Sequence, residues 1–261
     1  MTDSEPFAQE LKVAVEAAEA AGREVMRLRQ DGMRFGHKED FELVSEADLR
    51  ASEMLHEALT KPFPDAGWLG EEHVDTTVRL GKERVWIVDP IDGTREFLQG
   101  IPEFAVSIGL AVDGQPVLGV VHNPATGETD AAVCADAEEH PALLAPAPLE
   151  VMVSRNELRW RDIPPLPSGT RVAGLGSVAY RLALLARGRG HAVLTGYGRA
   201  EWDVAAGVAL CLAAGMRTTD VLGGPLQFNQ PDPYVKGILA GHRGAHDAIQ
   251  EHFRRLGAIR G

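Results

Sequence analysis

The first apolar pattern of the chain has the spacing of one helical face. It is formed by Phe7, Leu11, Val15, Ala18, Val25 and Leu28. Ser4 can cap this helix at its start, and Gly32 ends it. Residues 34–44 lack a regular pattern and are predicted as an irregular hairpin or loop. A second helix is predicted over residues 46–59, because Pro62 follows and cannot continue it.

The middle of the chain changes to patterns that are typical of strands. Residues 85–88 are continuously apolar, as in a strand that is buried on both faces. Apolar residues alternate over 104–112, and Asp113-Gly114 then predicts a hairpin turn. Two further strands are predicted after this turn, over residues 116–121 and 129–134.

The second half of the chain alternates short strands and helices. Strands are predicted near residues 149–153, 170–174, 191–195, 216–221 and 236–240. Helices are predicted near residues 154–160, 177–187, 202–214 and 243–256. A segment that is first acidic and then rich in Ala and Pro separates an amino-terminal α+β half (1–140) from a carboxy-terminal α/β half (141–261). This order predicts stacked α and β layers.

The charge of the chain narrows the classes of partner. Its 261 residues include 38 acidic and 26 basic side chains, a net charge of -12, which disfavours nucleic-acid polymers and anionic membranes as partners. No apolar stretch reaches the ~18–20 residues that cross a bilayer. Cys134 and Cys211 lie in apolar runs and are expected to be buried free thiols, so we expect a cytoplasmic protein. A site for phosphate in so acidic a chain needs local neutralisation, for which a divalent metal is the candidate.

The segment Asp89-Pro90-Ile91-Asp92-Gly93-Thr94 carries the strongest candidate chemistry. A buried strand delivers Asp89, and Pro90 removes a donor that would compete for the carboxylates. Gly93 can take a positive φ and keeps side-chain bulk away. The turn can therefore aim two carboxylates and the Ile91 carbonyl at one point, and such hard oxygen ligands suit Mg²⁺. The amides of Gly93 and Thr94 offer a seat for phosphate if they open a helix.

Three other acids have both a structural and a functional interpretation. Glu71 follows a short apolar segment and Gly70, and alone it also fits a solvated acidic loop. Asp203 begins an apolar helix, where an acid favours the helix amino terminus in any case. Asp48 lies in Ser45-Glu46-Ala47-Asp48, which fits a capping box.

Taken together, these segments resemble the inositol monophosphatase superfamily. The resemblance rests on Leu43–Asp48, Gly70-Glu71-Glu72, Val88–Thr94 and Trp202–Gly207, which follow one another in the order and spacing of that family. It covers nearly the whole chain. It implies an α/β fold, a layered α-β-α-β-α sandwich of the inositol monophosphatase and fructose-1,6-bisphosphatase type.

The resemblance also implies residue roles. The metal ligands would be Glu71, Asp89, the Ile91 carbonyl, Asp92 and Asp203, which together would hold two to three Mg²⁺. Asp48, Thr94 and Glu71 would orient and deprotonate the attacking water, and Asp92, Gly93, Thr94 and Asp203 would also contact the substrate. Inhibition by lithium and a homodimer are further expectations from the family.

The substrate is less sharply indicated. Arg95-Glu96-Phe97 resembles the 3'(2'),5'-bisphosphate nucleotidase branch, which acts on 3'-phosphoadenosine 5'-phosphate. Inositol enzymes carry an acid seven positions before the last metal Asp, where this chain has Gly196. Gly100-Ile101-Pro102 resembles the inositol branch instead. The first prediction is therefore the nucleoside bisphosphate, and inositol 1-phosphate and histidinol phosphate are the alternatives.

Candidate substrate contacts lie in the second half of the chain. Gly176 and Ser177 open a predicted helix and either face the substrate or form a plain turn and cap. Arg199 and Glu201 precede Asp203 and are candidates for contacting the leaving group. Two other classes compete with a phosphatase: an inactive metal- or ligand-binding regulator on the same fold, and an unrelated phosphotransferase, for which the chain has no Gly-rich P-loop.

Overall fold

A computed structural model of the protein describes residues 6–32, 34–37, 43–134 and 148–257. The helices are α1 (Ala8–Asp31), α2 (Glu46–Thr60), α3 (Thr94–Gln99), α4 (Arg155–Trp160), α5 (Val178–Ala186), α6 (Glu201–Ala213) and α7 (Arg243–Leu256). The strands are β1 (Phe35–His37), β2 (Leu43–Ser45), β3 (Gly67–Gly70), β4 (Arg84–Asp92), β5 (Ala105–Val112), β6 (Gln115–Asn123), β7 (Glu128–Val133), β8 (Glu150–Ser154), β9 (Arg171–Leu175), β10 (Ala192–Thr195), β11 (Arg199–Ala200), β12 (Arg217–Thr219), β13 (Tyr234–Val235) and β14 (Ile238–Gly241).

Two sheets alternate with three helical layers. The first sheet has the strand order β3-β4-β5-β6-β7, and α1 and α2 cover one of its faces. Helices α5 and α6 lie between this sheet and the second, whose order is β12-β14-β10-β8-β9. Helix α7 packs on the outer face of the second sheet through Ala245, Ile249 and Phe253. The α-β-α-β-α layering predicted from the sequence is confirmed.

Most predicted elements occur close to their predicted bounds, and the differences have physical reasons. Segment 35–37 pairs with 43–45 as an antiparallel ribbon, where the sequence indicated only an irregular hairpin or loop. The first helix begins at Ala8, after Phe7 with a φ of 63°, whereas the predicted cap Ser4 lies outside the described residues. The proposed boundary near residue 140 also lies outside them. The ribbon of β11 and β13 was not predicted, since two-residue strands carry no periodic signal.

Strand β4 (Arg84–Asp92) runs four residues beyond the apolar run at 85–88 that predicted it, because its last part is a bulge. Asp89 lies opposite Ser107 on β5 and Asp92 lies opposite Ala105, so three steps along β4 match two along its neighbour. Pro90 has no N–H for a regular ladder at this point. Bulges re-aim side chains at the ends of strands. Here the bulge lets both acids of the segment act at one strand end.

Helix α6 approaches the first sheet closely because two strand positions lack a side chain. A Cβ on Gly119 would lie 2.2 Å from the carbonyl oxygen of Ala206, and a Cβ on Gly109 would lie 2.9 Å from the Cβ of Ala205. On the other side of α6, a Cβ on Gly207 would lie 2.5 Å from that of Leu182 on α5. This packing sets the distance between α6, whose first turn carries Asp203, and the sheet.

We expect Gly119→Ala to lower the free energy of unfolding by about 1–3 kcal/mol, because the added methyl overlaps a backbone carbonyl that cannot move alone. Gly81→Ala is the matched control, since a Cβ at Gly81 meets nothing within 4 Å. Urea denaturation followed by circular dichroism measures both variants. Equal midpoints for the two variants would contradict the close packing of α6.

A buried histidine on α7 makes stability depend on pH. His246 is 2% exposed, and its Nε2 lies 2.9 Å from Thr219 Oγ1. Burial, followed by the nearby Arg217 charge, lowers the pKa of His246 from 6.5 to about 4. As pH falls below 6.5, His246 binds a proton in the unfolded chain but stays neutral in the folded chain until the pH is near 4. This contribution to stability is therefore present above pH 6.5 and is lost as the pH approaches 4.

His246→Gln should flatten this part of the pH dependence. The wild type is expected to lose at most about 3 kcal/mol more than the variant between pH 6.5 and 4. Urea midpoints at several pH values provide the measurement. Parallel curves for the two proteins would show that His246 does not titrate in this way.

Candidate active site

The bulge at the end of β4 places the first two acids of the site. Asp89 is 2% exposed, and its Oδ1 accepts a hydrogen bond of 2.9 Å from the amide of Ile91 two residues on. Gly93 follows with a φ of 94° and precedes the first turn of α3. A Cβ there would lie 3.1 Å from the Glu103 carbonyl oxygen and 3.2 Å from the Ser177 Cβ. The turn therefore requires glycine for its conformation and for its space.

A cavity of about 440 Å³ opens at this strand end. Its lining includes most of the residues that the sequence singled out: Glu71, Asp89, Ile91, Asp92, Gly93, Thr94, Arg199 and Asp203. It also includes Arg95, Glu96, Gly198, Ala200, Trp202 and Tyr234. Glu71 follows β3, the parallel neighbour of β4, and Asp203 comes from α6 in the second half of the chain. Segments far apart in sequence thus converge on one cavity.

The acids of the cavity repel one another strongly. Burial raises the pKa of Asp89 well above its usual range, and the charges of Glu71, Asp92 and Asp203 raise it further. A hydrogen bond with the Glu71 carboxyl acts in the same direction. Burial also raises the pKa of Asp92, against the hydrogen bonds that it accepts from the second half of the chain.

A hard divalent cation fits this donor set. Carboxylate and carbonyl oxygens are the ligands that Mg²⁺ takes in proteins, and a cation offsets the repulsion that raises the Asp89 pKa. The acids surround the cavity without a closed cage. Within the described ranges, no three carboxylate, imidazole or thiolate side chains stand together in a ready coordination geometry.

Asp48 combines the two interpretations that the sequence left open. The capping box is confirmed: Ser45 N lies 2.7 Å from Asp48 Oδ2, and Asp48 N lies 3.3 Å from Ser45 Oγ. The other oxygen, Oδ1, accepts from the Thr94 hydroxyl at 3.2 Å. Burial, opposed by the Ser45 hydrogen bonds, raises the pKa of Asp48 to about 6. The Asp48 carboxylate therefore caps α2 and also accepts a hydrogen bond from Thr94, which lines the cavity.

The two candidates next to Asp203 differ in position. Arg199 lines the cavity and lies 3.6 Å from Glu157, a buried acid that also accepts from the Gly196 amide. Glu201 is fully buried instead. Its carboxylate accepts the backbone amides of Asn229 and Gln230 at 2.6 and 2.9 Å, so it supports a loop rather than facing the cavity.

Gly176 and Ser177 lie behind the cavity rather than on its lining. The Gly176 amide donates to Glu103 at 2.7 Å, and the Ser177 hydroxyl donates to Asp92 at 2.6 Å. Sequence reasoning also missed an aromatic wall. The rings of Trp202 and Tyr234 are 6.2 Å apart, edge to face. The adjacent Asp203 was the only signal for Trp202, and the two-residue strand β13 offered none for Tyr234.

Comparison with known proteins identifies the family of the chain. The profile described as "Inositol monophosphatase family" matches residues 8–258. The chain belongs to the inositol monophosphatase family. Proteins of this family are phosphatases, and the chain is accordingly a phosphoric monoester hydrolase that acts on small phosphorylated substrates. The family is generally Mg²⁺-dependent, and sensitivity to lithium is typical of it.

Several family relatives are similar along most of their length. The chain is 33% identical to an inositol-1-monophosphatase of Rhizobium meliloti, covering 94% of this chain and 96% of the relative. It is 32% identical to a 3'-phosphoadenosine 5'-phosphate phosphatase of Mycobacterium tuberculosis, covering 84% of each chain. The crystal structure of the extragenic suppressor protein SuhB from Bartonella henselae superposes with a TM-score of 0.77 at 27% identity, covering 95% of this chain and 99% of that one.

Within the residues that the structure describes, no helix is long and apolar enough to span a membrane. Cys134 and Cys211 are both free thiols, and Cys211 is buried.

If the acids of the cavity hold a cation, Asp203→Asn should remove most of the stabilisation that Mg²⁺ gives. A ligand bound only to the folded state raises stability by RT ln(1 + [L]/Kd), about 2.7 kcal/mol at 100 times Kd. We expect the wild-type Tm to rise with Mg²⁺. The variant should need at least about a tenfold higher Mg²⁺ concentration for the same rise in Tm. Glu83→Gln, at an exposed position, is the charge-matched control. Identical Mg²⁺ titrations for all three proteins would exclude Asp203 as a ligand.

Proposed function

We propose that this phosphatase hydrolyses a nucleoside bisphosphate, 3'-phosphoadenosine 5'-phosphate, in a Mg²⁺-dependent reaction. The observation that carries the proposal is the lining of the cavity. Acids converge at the end of β4, and the lining of the same cavity also includes two arginines and two aromatic rings: Arg95, Arg199, Trp202 and Tyr234. Its volume of about 440 Å³ suits a small metabolite.

The acids divide into overlapping ligand sets. Glu71, Asp89 and the Ile91 carbonyl would hold one Mg²⁺, and Asp89, Asp92 and Asp203 a second. Glu71 with water would serve a third, weaker site. When bound, Mg²⁺ supplies positive charge that offsets the phosphate dianion and the negative charge developing on the leaving alkoxide. Asp92, Gly93, Thr94 and Asp203 would contact the phosphate side of the substrate.

Asp48 and Thr94 would handle the proton of the attacking water. The Thr94 hydroxyl lies 3.2 Å from Asp48 Oδ1 and 3.1 Å from the Ile91 carbonyl oxygen, so its orientation is restricted. It can accept a proton from water while passing its own proton to the buried Asp48 carboxylate. The water oxygen then forms a bond to phosphorus while the P–O ester bond breaks, and the leaving alkoxide takes a proton from solvent water and departs as the alcohol.

The second phosphate and the base would be bound by the arginines and the aromatic rings of the lining. Arg199 and Arg95 carry the positive charge that a second phosphate needs. Trp202 and Tyr234 offer aromatic surface to a planar base. Gly196, where inositol enzymes carry an acid, does not line the cavity, and a Cβ at this position would lie 3.1 Å from Pro164 Cδ. A sugar hydroxyl would therefore lack this acid partner.

Inositol 1-phosphate is the second candidate, supported by the similarity to the Rhizobium meliloti enzyme over nearly the whole chain. A panel separates the two: 3'-phosphoadenosine 5'-phosphate, inositol 1-phosphate, histidinol phosphate and fructose 1,6-bisphosphate, each with and without Mg²⁺. The proposal expects the highest kcat/KM for the nucleotide. If the protein releases phosphate from none of these four compounds, the result would favour an inactive regulator.

Arg199→Ala should raise KM for the nucleoside bisphosphate at least about tenfold, because a charge-assisted contact to its second phosphate is lost. KM for inositol 1-phosphate should change much less. Arg159→Ala, at an exposed position on α4, controls for net charge. If Arg199→Ala weakens both substrates equally, Arg199 does not discriminate between them.

A further inference from the structure

Two donors from the start of α5 hold one oxygen of Asp92. The Ser177 hydroxyl and the Ala179 amide each lie 2.6 Å from Asp92 Oδ2. Both come from the second half of the chain, whereas Asp92 ends β4 in the first half. With Oδ2 bound twice, Oδ1 is the oxygen of Asp92 left to face an ion in the cavity that Asp92 lines.

The position of Ser177 is itself fixed by several contacts. Its hydroxyl accepts from the Tyr180 amide at 3.0 Å as the cap of α5. Its φ of 33° is unusual for a residue with a side chain, and such strain persists only where neighbours impose it. Arg181, which is 2% exposed, donates from Nε to the carbonyls of Gly176 and Ser177, both at 3.3 Å.

Contacts also fix the position of the preceding residue, Gly176. The Gly176 amide donates to Glu103, and Arg155 forms an ion pair with the same Glu103 oxygen. A Cβ on Gly176 would lie 2.5 Å from Glu96 Cγ, so the loop cannot shift toward α3. The loop at 176–177 is thus a rigid support, and its hydroxyl points at a carboxylate rather than into the cavity.

We propose that Ser177 is a positioning residue that holds Asp92 in its metal-binding orientation, and that it does not contact the substrate. This inference rests on the proposed function, in which Asp92 is a ligand of Mg²⁺. Groups that hydrogen-bond a metal ligand orient it, and removing such a group typically weakens metal affinity about 10- to 100-fold.

Ser177→Gly is the most informative variant. Glycine adopts a positive φ without strain and is tolerated as a helix cap, so the change removes the hydroxyl and little else. Ser154→Gly is the matched control, because Ser154 caps α4 in the same way without contacting Asp92. Circular dichroism and the urea midpoint of metal-free protein check that each variant folds. Ser177→Ala serves as a second variant that also removes the hydroxyl.

Isothermal titration of the full chain with Mg²⁺ alone is the first measurement. We expect the Kd for Mg²⁺ to rise about 10- to 100-fold in Ser177→Gly and to stay unchanged in Ser154→Gly. Steady-state kinetics are the second measurement. At saturating Mg²⁺ the variant should recover its kcat with an unchanged KM for substrate.

The outcomes separate the inference from the proposed function. An unchanged Mg²⁺ Kd with a raised substrate KM would show that Ser177 contacts substrate and would overturn the inference alone. An unchanged Kd with no kinetic effect would overturn it equally. If the wild type binds no Mg²⁺ and releases phosphate without it, the proposed metal chemistry is wrong. The inference about Ser177 is then wrong as well.

Discussion

Mutual repulsion among buried carboxylates is the constraint around which this protein is organised. Asp89 lies toward the end of a buried strand. Burial and the charges of Glu71, Asp92 and Asp203 raise its pKa. Such a group of acids costs folding free energy unless positive charge or hydrogen bonds offset it. The surroundings supply both, through the Ile91 amide on Asp89 and the donors from α5 on Asp92. Arg181 and Arg199 add positive charge near Asp92.

Close packing of the two halves of the chain brings these acids together. Asp203 belongs to α6, and it reaches the cavity because Gly109 and Gly119 let that helix approach the first sheet. Asp92 belongs to β4 but is held by the loop before α5. The hydrophobic cluster that contains Val85 and Ile87 also contains Val178 and Val204. Packing of the core and assembly of the site therefore depend on the same helices.

Acids in this fold are not equivalent, although they look alike in sequence. Asp48 uses one oxygen to cap α2 and the other to accept from Thr94, so one carboxylate both caps a helix and contacts a residue of the cavity. Glu201 stands two residues before Asp203, yet its carboxylate is buried and accepts hydrogen bonds from the backbone amides of Asn229 and Gln230. The difference lies in the direction of each side chain at the start of α6, which neighbouring positions in a sequence do not reveal.

The sequence by itself determined the order of strands and helices and the turn at the end of β4, because both leave local signals. Glu71, Asp48 and Asp203 were assigned only through the resemblance to the family. Strand β4 was visible as an apolar run, α6 as an apolar helix, and the turn at Asp89–Thr94 as a combination of Pro, Gly and carboxylates. Only the tertiary structure decided what each candidate contacts. Ser177 meets Asp92 across 85 positions of sequence, and Tyr234 reaches the cavity on a two-residue strand. Such contacts depend on how layers stack, and no periodicity within a segment encodes them.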